Sequence, residues 1–235
     1  MSGSIVTPEL RARVRGLAQP IARAFHHLGL SPNQLTLIGF GIAIVAGVAA
    51  SRQAWLAAGV LVVFGGVFDL FDGALARFAG KVSKLGAFYD SVFDRWGEGV
   101  VYVGIAWGCI DAGFGEGAVL AAAALTSAVM VSYARAKSES LGFTPGTGMA
   151  NVGLAPREVR LAILTIGLIA VGVAGGVWPG TCPTIAADSM ADCWAAPGPQ
   201  YGGGIMIATL GLITILATIT TIQRILHVRA QARGG

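Results

Sequence analysis

Four aspartates punctuate the stretch 68-FDLFDGALARFAGKVSKLGAFYDSVFDR-95: Asp69, Asp72, Asp90 and Asp94. The chain around them is largely apolar. An ionised aspartate at the centre of a membrane-spanning helix costs about 2.5–3.5 kcal/mol on insertion scales, so four without compensation would cost on the order of 10 kcal/mol. Only Arg77 and Arg95 are close in sequence as counter-ions. Divalent metal ions compensate better, because hard cations prefer carboxylate oxygens. Asp69 and Asp72 are three residues apart and Asp90 and Asp94 four apart, so on helices each pair shares a face. A short turn between the two helices is expected to make them antiparallel neighbours and to converge the faces on one site. Several facing carboxylates suit a two-metal clamp for in-line displacement at a phosphoryl group. Gly73 and Gly86 remove side chains beside the carboxylates. Either they let a phosphate or nucleotide approach the backbone, or they serve close helix packing.

The elements that must carry these residues are helices in lipid. Of the 235 residues, 54% are hydrophobic and only 12% charged, against about a quarter in ordinary soluble domains. Mean hydropathy is +0.71. Apolar windows long enough to cross a bilayer, roughly 17–25 residues, fall at 34–51, 55–77, 87–110, 116–137, 159–178 and 203–226. The expected fold is therefore all-α: a polytopic membrane protein with six transmembrane helices. Residues 1–33 form a cytoplasmic juxtamembrane segment, 34–228 the catalytic domain and 229–235 a cytoplasmic tail. With the N-terminus inside, every one of the sixteen Lys and Arg residues except Arg52 falls in an inner segment or at a span end facing it. The outer loops hold Asp111, Glu116, Asp188 and Asp192. This positive-inside bias orients the chain in the cell membrane, with the aspartates and the N-terminus toward the cytoplasm.

In residues 8–28, Arg11, Arg15 and Arg23 alternate with Leu10, Val14, Leu17, Ile21 and Phe25 at helical spacing. The pattern reads as an amphipathic helix on the membrane surface, divided or kinked at Pro20; the plainer alternative is a partly ordered basic tail. No cleavable signal peptide, lipidation motif or internal repeat is expected. Cys109 lies in an apolar span and reads as packing. Cys182 and Cys193 share the last outer loop, where either a disulfide or two free thiols would fit.

The pattern Asp69-x-x-Asp72-Gly73-x-x-Ala76-Arg77, then Gly86-x-x-x-Asp90-x-x-x-Asp94, resembles the signature of the CDP-alcohol phosphotransferases at all eight fixed positions. The six spans, the basic N-terminus and 31-SPNQLT-36 extend the resemblance over most of the chain, excluding the loop at 179–204. The resemblance implies transfer of a phosphatidyl or related lipid phosphate group from a CDP-linked lipid, such as CDP-diacylglycerol, to an alcohol, with release of CMP. It implies a divalent cofactor, Mg²⁺ or Mn²⁺ and two ions, held by Asp69, Asp72, Asp90 and Asp94. Asp94 would also be the general base. Gly73, Ala76, Arg77 and Gly86 would line the cytidine and diphosphate pocket with Asp69, bordered by Pro32, Asn33 and Thr36. It further implies a homodimer among membrane lipids and no nucleic-acid partner. Glu98, on the same face as Asp94, either orients the site or makes a helix contact.

A second cluster bears on the acceptor. Arg135, Lys137, Arg157 and Arg160 lie on the same side as the aspartates with few local acids. They read either as topology-setting charge or as a pocket for a phosphate on the acceptor alcohol. Ser132-Tyr133, Arg135, Lys137, Glu139, Arg157 and Arg160 resemble the phosphatidylinositol-phosphate synthases of the same family. The run 153-GLAPREVRL-161 departs from them, and the first two cations stand in the order Arg then Lys. Inositol phosphate is the expected acceptor, and glycerol-3-phosphate or another alcohol the alternative. A metal or solute transporter would instead call for broken helices and inverted repeats, which the sequence lacks.

Overall fold

The computed structural model of the protein describes residues 20–143, 152–177 and 201–234. All regular structure among them is helical. A short helix α1 spans 20–27. It is followed by α2 (Pro32–Ser51), α3 (Trp55–Phe78), α4 (Lys84–Asp111), α5 (Gly115–Ser140), α6 (Arg157–Val173) and α7 (Tyr201–Gly234). Of the expected amphipathic helix at 8–28, residues 20–27 are helical. Residues 8–19, the Cys182–Cys193 question and the loop acids Asp188 and Asp192 lie outside the described residues.

Local sequence explains where the site-bearing helices start. Ser31 and Gln34 form a capping box on α2: the Ser31 hydroxyl accepts from the Gln34 N–H, and the Gln34 side chain accepts from the Ser31 N–H. Pro32 follows in the first turn, where a missing N–H costs nothing. Ser83 caps α4 by accepting from the Gly86 N–H at 3.0 Å. The polar break from Gly80 to Ser83 therefore ends as a defined helix start, not a loose loop.

The six long helices close into a ring. The packed pairs run α2–α3, α3–α6, α6–α7, α7–α5, α5–α4 and α4–α2. This corrects one expectation: α3 and α4 are consecutive in sequence but are not closely packed on one another, because α2 lies between them. Small residues make that insertion possible. A Cβ added at Gly104 of α4 would stand 2.1 Å from the carbonyl oxygen of Gly47 on α2, so only glycine lets these backbones approach so closely. The main core, built on Ala46, Trp55, Tyr102, Ile105, Leu164, Leu168, Met206 and Leu210 among others, fills the ring. A smaller cluster of Ala22, Leu35, Ala74 and Leu75, with Phe25, Phe68 and Phe71 against it, fastens α1 to the aspartate end of α2 and α3.

Four helices, α2, α3, α5 and α7 through Arg233, are long and apolar enough to cross a membrane. Val45, Val48, Val63, Phe64, Trp107 and Ile166 are exposed on the outer surface, an apolar exterior that suits lipid. The chain is an integral membrane protein of all-α class. The other two expected spans fall short for physical reasons. Asp90, Asp94, Arg95 and Glu98 interrupt the apolarity of α4, and α6 has only 17 residues, about 25 Å at 1.5 Å per residue.

Candidate active site

The aspartates meet at one end of the ring. Asp69 and Asp72 lie in the last turns of α3, and Asp90 and Asp94 in the first half of α4. Asp69 and Asp90 feel each other's charge, Asp72 feels both, and so does Asp94. Asp72 is buried, and its Oδ2 accepts from the Thr36 hydroxyl of α2 at 2.7 Å. Arg157, the first residue of α6, reaches across: its guanidinium stands 2.7 Å from Asp69 Oδ2 and 2.9 Å from Asp94 Oδ2. Arg95 approaches the same Asp94 oxygen at 3.1 Å. The site is thus assembled from α2, α3, α4 and α6.

Its charge balance leaves room for a cation. Two guanidiniums face four carboxylates. Asp69 Oδ2 is buried without a hydrogen bond of good geometry, its contact with Arg157 being an ion pair only. The donors are oxygens throughout, which fits a hard divalent cation. Among the described residues no three acidic, His or Cys side chains form a finished metal shell, and Arg157 occupies two of the carboxylates. A cavity of about 40 Å³ adjoins them, lined by Thr36, Gly39, Asp69, Asp94, Glu98 and Arg157 among others. That volume suits an ion or a few waters, not a nucleotide. A larger, more open cleft of about 330 Å³ lies nearby, lined by Ser31, Pro32, Asn33, Lys81, Val82 and Ser83. Pro32 and Asn33 thus line open space. Gly86 abuts it, since a Cβ there would stand 3.4 Å from Asn33 Oδ1. Gly73, Ala76 and Arg77 line neither cavity, although the Arg77 guanidinium lies against Gly73.

The cationic cluster divides. Arg135 and Lys137 are exposed at the end of α5, where Arg135 pairs with Glu139 at 2.9 Å. Arg157 joins the aspartates. Arg160, only three residues on, is fully buried and committed. It donates to both Glu98 carboxylate oxygens at 3.0 and 2.9 Å and to the Ala155 carbonyl at 3.0 Å. Three of its five N–H donors are spent in this way, and its burial keeps it back from the aspartate cluster that Arg157 reaches. Glu98 therefore makes a buried ion pair one turn beyond Asp94. Sequence reasoning passed over Arg224 of α7, which is buried and, among the described residues, donates to the backbone carbonyls of Val131 and Val152. The signal was available, since an ionisable residue inside an apolar window is a functional candidate by default.

An all-helical membrane ring with an aspartate cluster spanning two helices at one end defines a membrane-embedded phosphotransferase. The family model of the CDP-alcohol phosphatidyltransferases matches residues 29–228, and the chain belongs to that family. It is a transferase of phospholipid synthesis. Among its relatives, the archaetidylinositol phosphate synthase of Pyrococcus horikoshii is 35% identical over 173 residues, covering 72% of this chain and 86% of the relative. The phosphatidylinositol phosphate synthase of Cutibacterium acnes is 31% identical over 93% of this chain and 95% of its own. The fold matches crystal structures of Mycobacterium tuberculosis phosphatidylinositol phosphate synthase at 24% identity. The form with CDP-DAG bound superposes with a TM-score of 0.70 over 90% of this chain and 92% of that one. A second form, in complex with manganese and citrate, also gives 0.70, over 90% and 88%.

Proposed function

We propose that the protein transfers the lipid phosphate group of a CDP-linked lipid to inositol phosphate, releasing CMP. The observation that carries this reading is the position of Arg157. Its guanidinium stands between Asp69 and Asp94, so a phosphate held there is brought to the carboxylate that would take the proton from the acceptor hydroxyl. The names of the Pyrococcus and Cutibacterium relatives support the same acceptor.

In this reading Asp69, Asp72, Asp90 and Asp94 hold a divalent metal, Mg²⁺ or Mn²⁺ in two ions, and the Mycobacterium structure with manganese supports it. When bound, the metal neutralises the diphosphate and the charge developing on CMP. Asp94 serves as general base. Thr36 holds Asp72 in place through its hydroxyl. The CDP group enters by the cleft between the start of α2 and the α3–α4 turn, at Pro32, Asn33 and Gly86, and extends past it toward Thr36, Gly73, Ala76 and Arg77. Arg157 with Arg135 and Lys137 binds the acceptor phosphate, and Arg224, which has no carboxylate partner among its hydrogen bonds, adds positive field. Arg160 acts from behind, through Glu98. All six long helices span the cell membrane, α4 and α6 with their charged ends in the cytoplasmic headgroup region, and the protein works as a homodimer.

An acceptor screen tests this reading. The purified protein is supplied with CDP-diacylglycerol and Mg²⁺ or Mn²⁺, and CMP release is followed with inositol phosphate, glycerol-3-phosphate, serine and free inositol. Inositol phosphate is expected to give the highest kcat/KM. Free inositol or serine exceeding both phosphorylated alcohols would overturn the acceptor assignment.

A further inference from the structure

The segment that delivers Arg157 has no regular structure of its own, yet it is tied down by side chains. Thr220 of α7 is fully buried. Its hydroxyl accepts from the Leu154 N–H at 3.0 Å and the Ala155 N–H at 2.9 Å, and donates to the Leu216 carbonyl at 2.8 Å. One donor and two acceptors are all that a hydroxyl offers, so Thr220 is saturated. Arg224, one turn further along α7, holds the Val152 carbonyl at 3.1 Å. Arg160 holds the Ala155 carbonyl. Gly153 completes the arrangement with φ +121°, and a Cβ there would stand 2.2 Å from Thr220 Cγ2. The sequence departs from the synthase pattern in this same run.

Chain direction makes this consequential. Arg157 follows Pro156 directly, and Pro156 is the N-cap of α6. The position of the Leu154 and Ala155 backbone therefore sets how far the Arg157 guanidinium reaches toward Asp69 and Asp94. We infer that Thr220 is a positioning residue for the acceptor side of the reaction, acting through the 152–156 segment on Arg157. The inference rests on the reading of Arg157 as a phosphate holder. It assigns to the last helix, which contributes no signature residue, control over where the acceptor docks. Thr220 does not touch substrate, so its effect belongs to the acceptor constant and not to the CDP-lipid.

The test is a double-mutant cycle on the full chain in detergent, with KM measured separately for inositol phosphate and CDP-diacylglycerol. Thr220→Val keeps the shape and removes the hydroxyl, stranding the buried Ala155 N–H and freeing the part-buried Leu154 N–H. It is expected to raise the inositol phosphate KM about tenfold, less than the roughly hundredfold that a 1 Å misplacement can cost, and to leave the CDP-lipid KM within about twofold. Thr220→Ser, which keeps the hydroxyl, is expected to restore the native constant. In an Arg157→Ala background Thr220→Val should add nothing further. Equal rises in both constants, or a full additional rise in the Arg157→Ala background, would overturn the inference. Arg157→Ala leaving the inositol phosphate KM unchanged would instead overturn the underlying reading. Should Thr220→Val fail to survive extraction, Gly153→Ala presses on the same segment and carries the same expectation: a selective rise in the acceptor constant supports the role, and a uniform one overturns it.

Discussion

At the scale of single residues, the site is a contest between carboxylates and guanidiniums. Asp94 carries most of it, since Arg157 and Arg95 both approach its Oδ2. Asp94→Asn keeps the shape and removes the base. Turnover is expected to fall by about 10²–10⁴-fold, while CDP-lipid binding, read by equilibrium dialysis with labelled lipid in micelles, stays measurable. Joint loss of binding and rate would reduce Asp94 to a ligand. Arg157 and Arg160 should behave oppositely. Arg157→Ala is expected to raise the acceptor KM about 10- to 150-fold, the equivalent of a lost charge-assisted hydrogen bond. Arg160→Met is expected to destabilise the fold by about 3–5 kcal/mol, because it leaves Glu98 charged and unpaired in the interior. Chemical denaturation in mixed micelles would measure this, and adding Glu98→Gln should recover much of the loss. The four aspartates were legible as a cluster because charged residues in an apolar chain have few uses. The division between Arg157 and Arg160 was not. Their spacing puts them near one face, but Glu98, which decides the fate of Arg160, lies on another helix.

At the scale of elements, glycine decides which helices touch. Gly104→Val would drive a branched side chain into the Gly47 backbone, with an overpacking cost of about 1–3 kcal/mol. Gly41→Ala on α2 meets nothing within 4 Å and makes a matched control. The first variant is expected to lower the thermal midpoint of detergent-purified protein and the second to leave it or raise it slightly; equal behaviour of the two would mean that the α2–α4 contact does not limit stability. Helix number and order, and start points to within about three residues, were readable from hydropathy; the Ser31 and Ser83 caps that set the first turns of α2 and α4 were not read. The neighbours were not. A short polar turn suggested that α3 and α4 pack together, yet the small residues of α2 and α4 permit a closer fit that places α2 between them. Thr220 and Arg224 were missed for a related reason: their partners, at 152–155, lie in a segment without periodicity.

At the scale of the whole molecule, six helices form a closed circuit with the charge gathered at one end. A ligand that binds this end and not the unfolded chain must raise stability in proportion to its excess over its dissociation constant. Mn²⁺ or Mg²⁺ at about 100 times its Kd is expected to add about 2.7 kcal/mol, visible as a higher thermal midpoint by intrinsic tryptophan fluorescence. Asp90→Asn should lose both this shift and turnover. A full shift retained in the variant would remove Asp90 from the ligand set. The membrane class followed from composition, and the pairing of aspartates on a shared face from their spacing. The circuit itself did not, because hydropathy records that a helix meets lipid but not which neighbour covers its other side.

The circuit also has a history, written in the order of synthesis. From α2 the contacts grow along two arms, α3 to α6 and α4 to α5, and α7 closes the gap between them. All four acidic groups leave the ribosome before Arg157 exists to balance them, and before Thr220 exists to steer it. Arg95 is made with them and Arg157 at the start of α6, whereas the helix that joins the two arms is made last. Completion of the final helix is therefore what closes the circuit, and only then does the segment leading to Arg157 gain its anchors on Thr220 and Arg224.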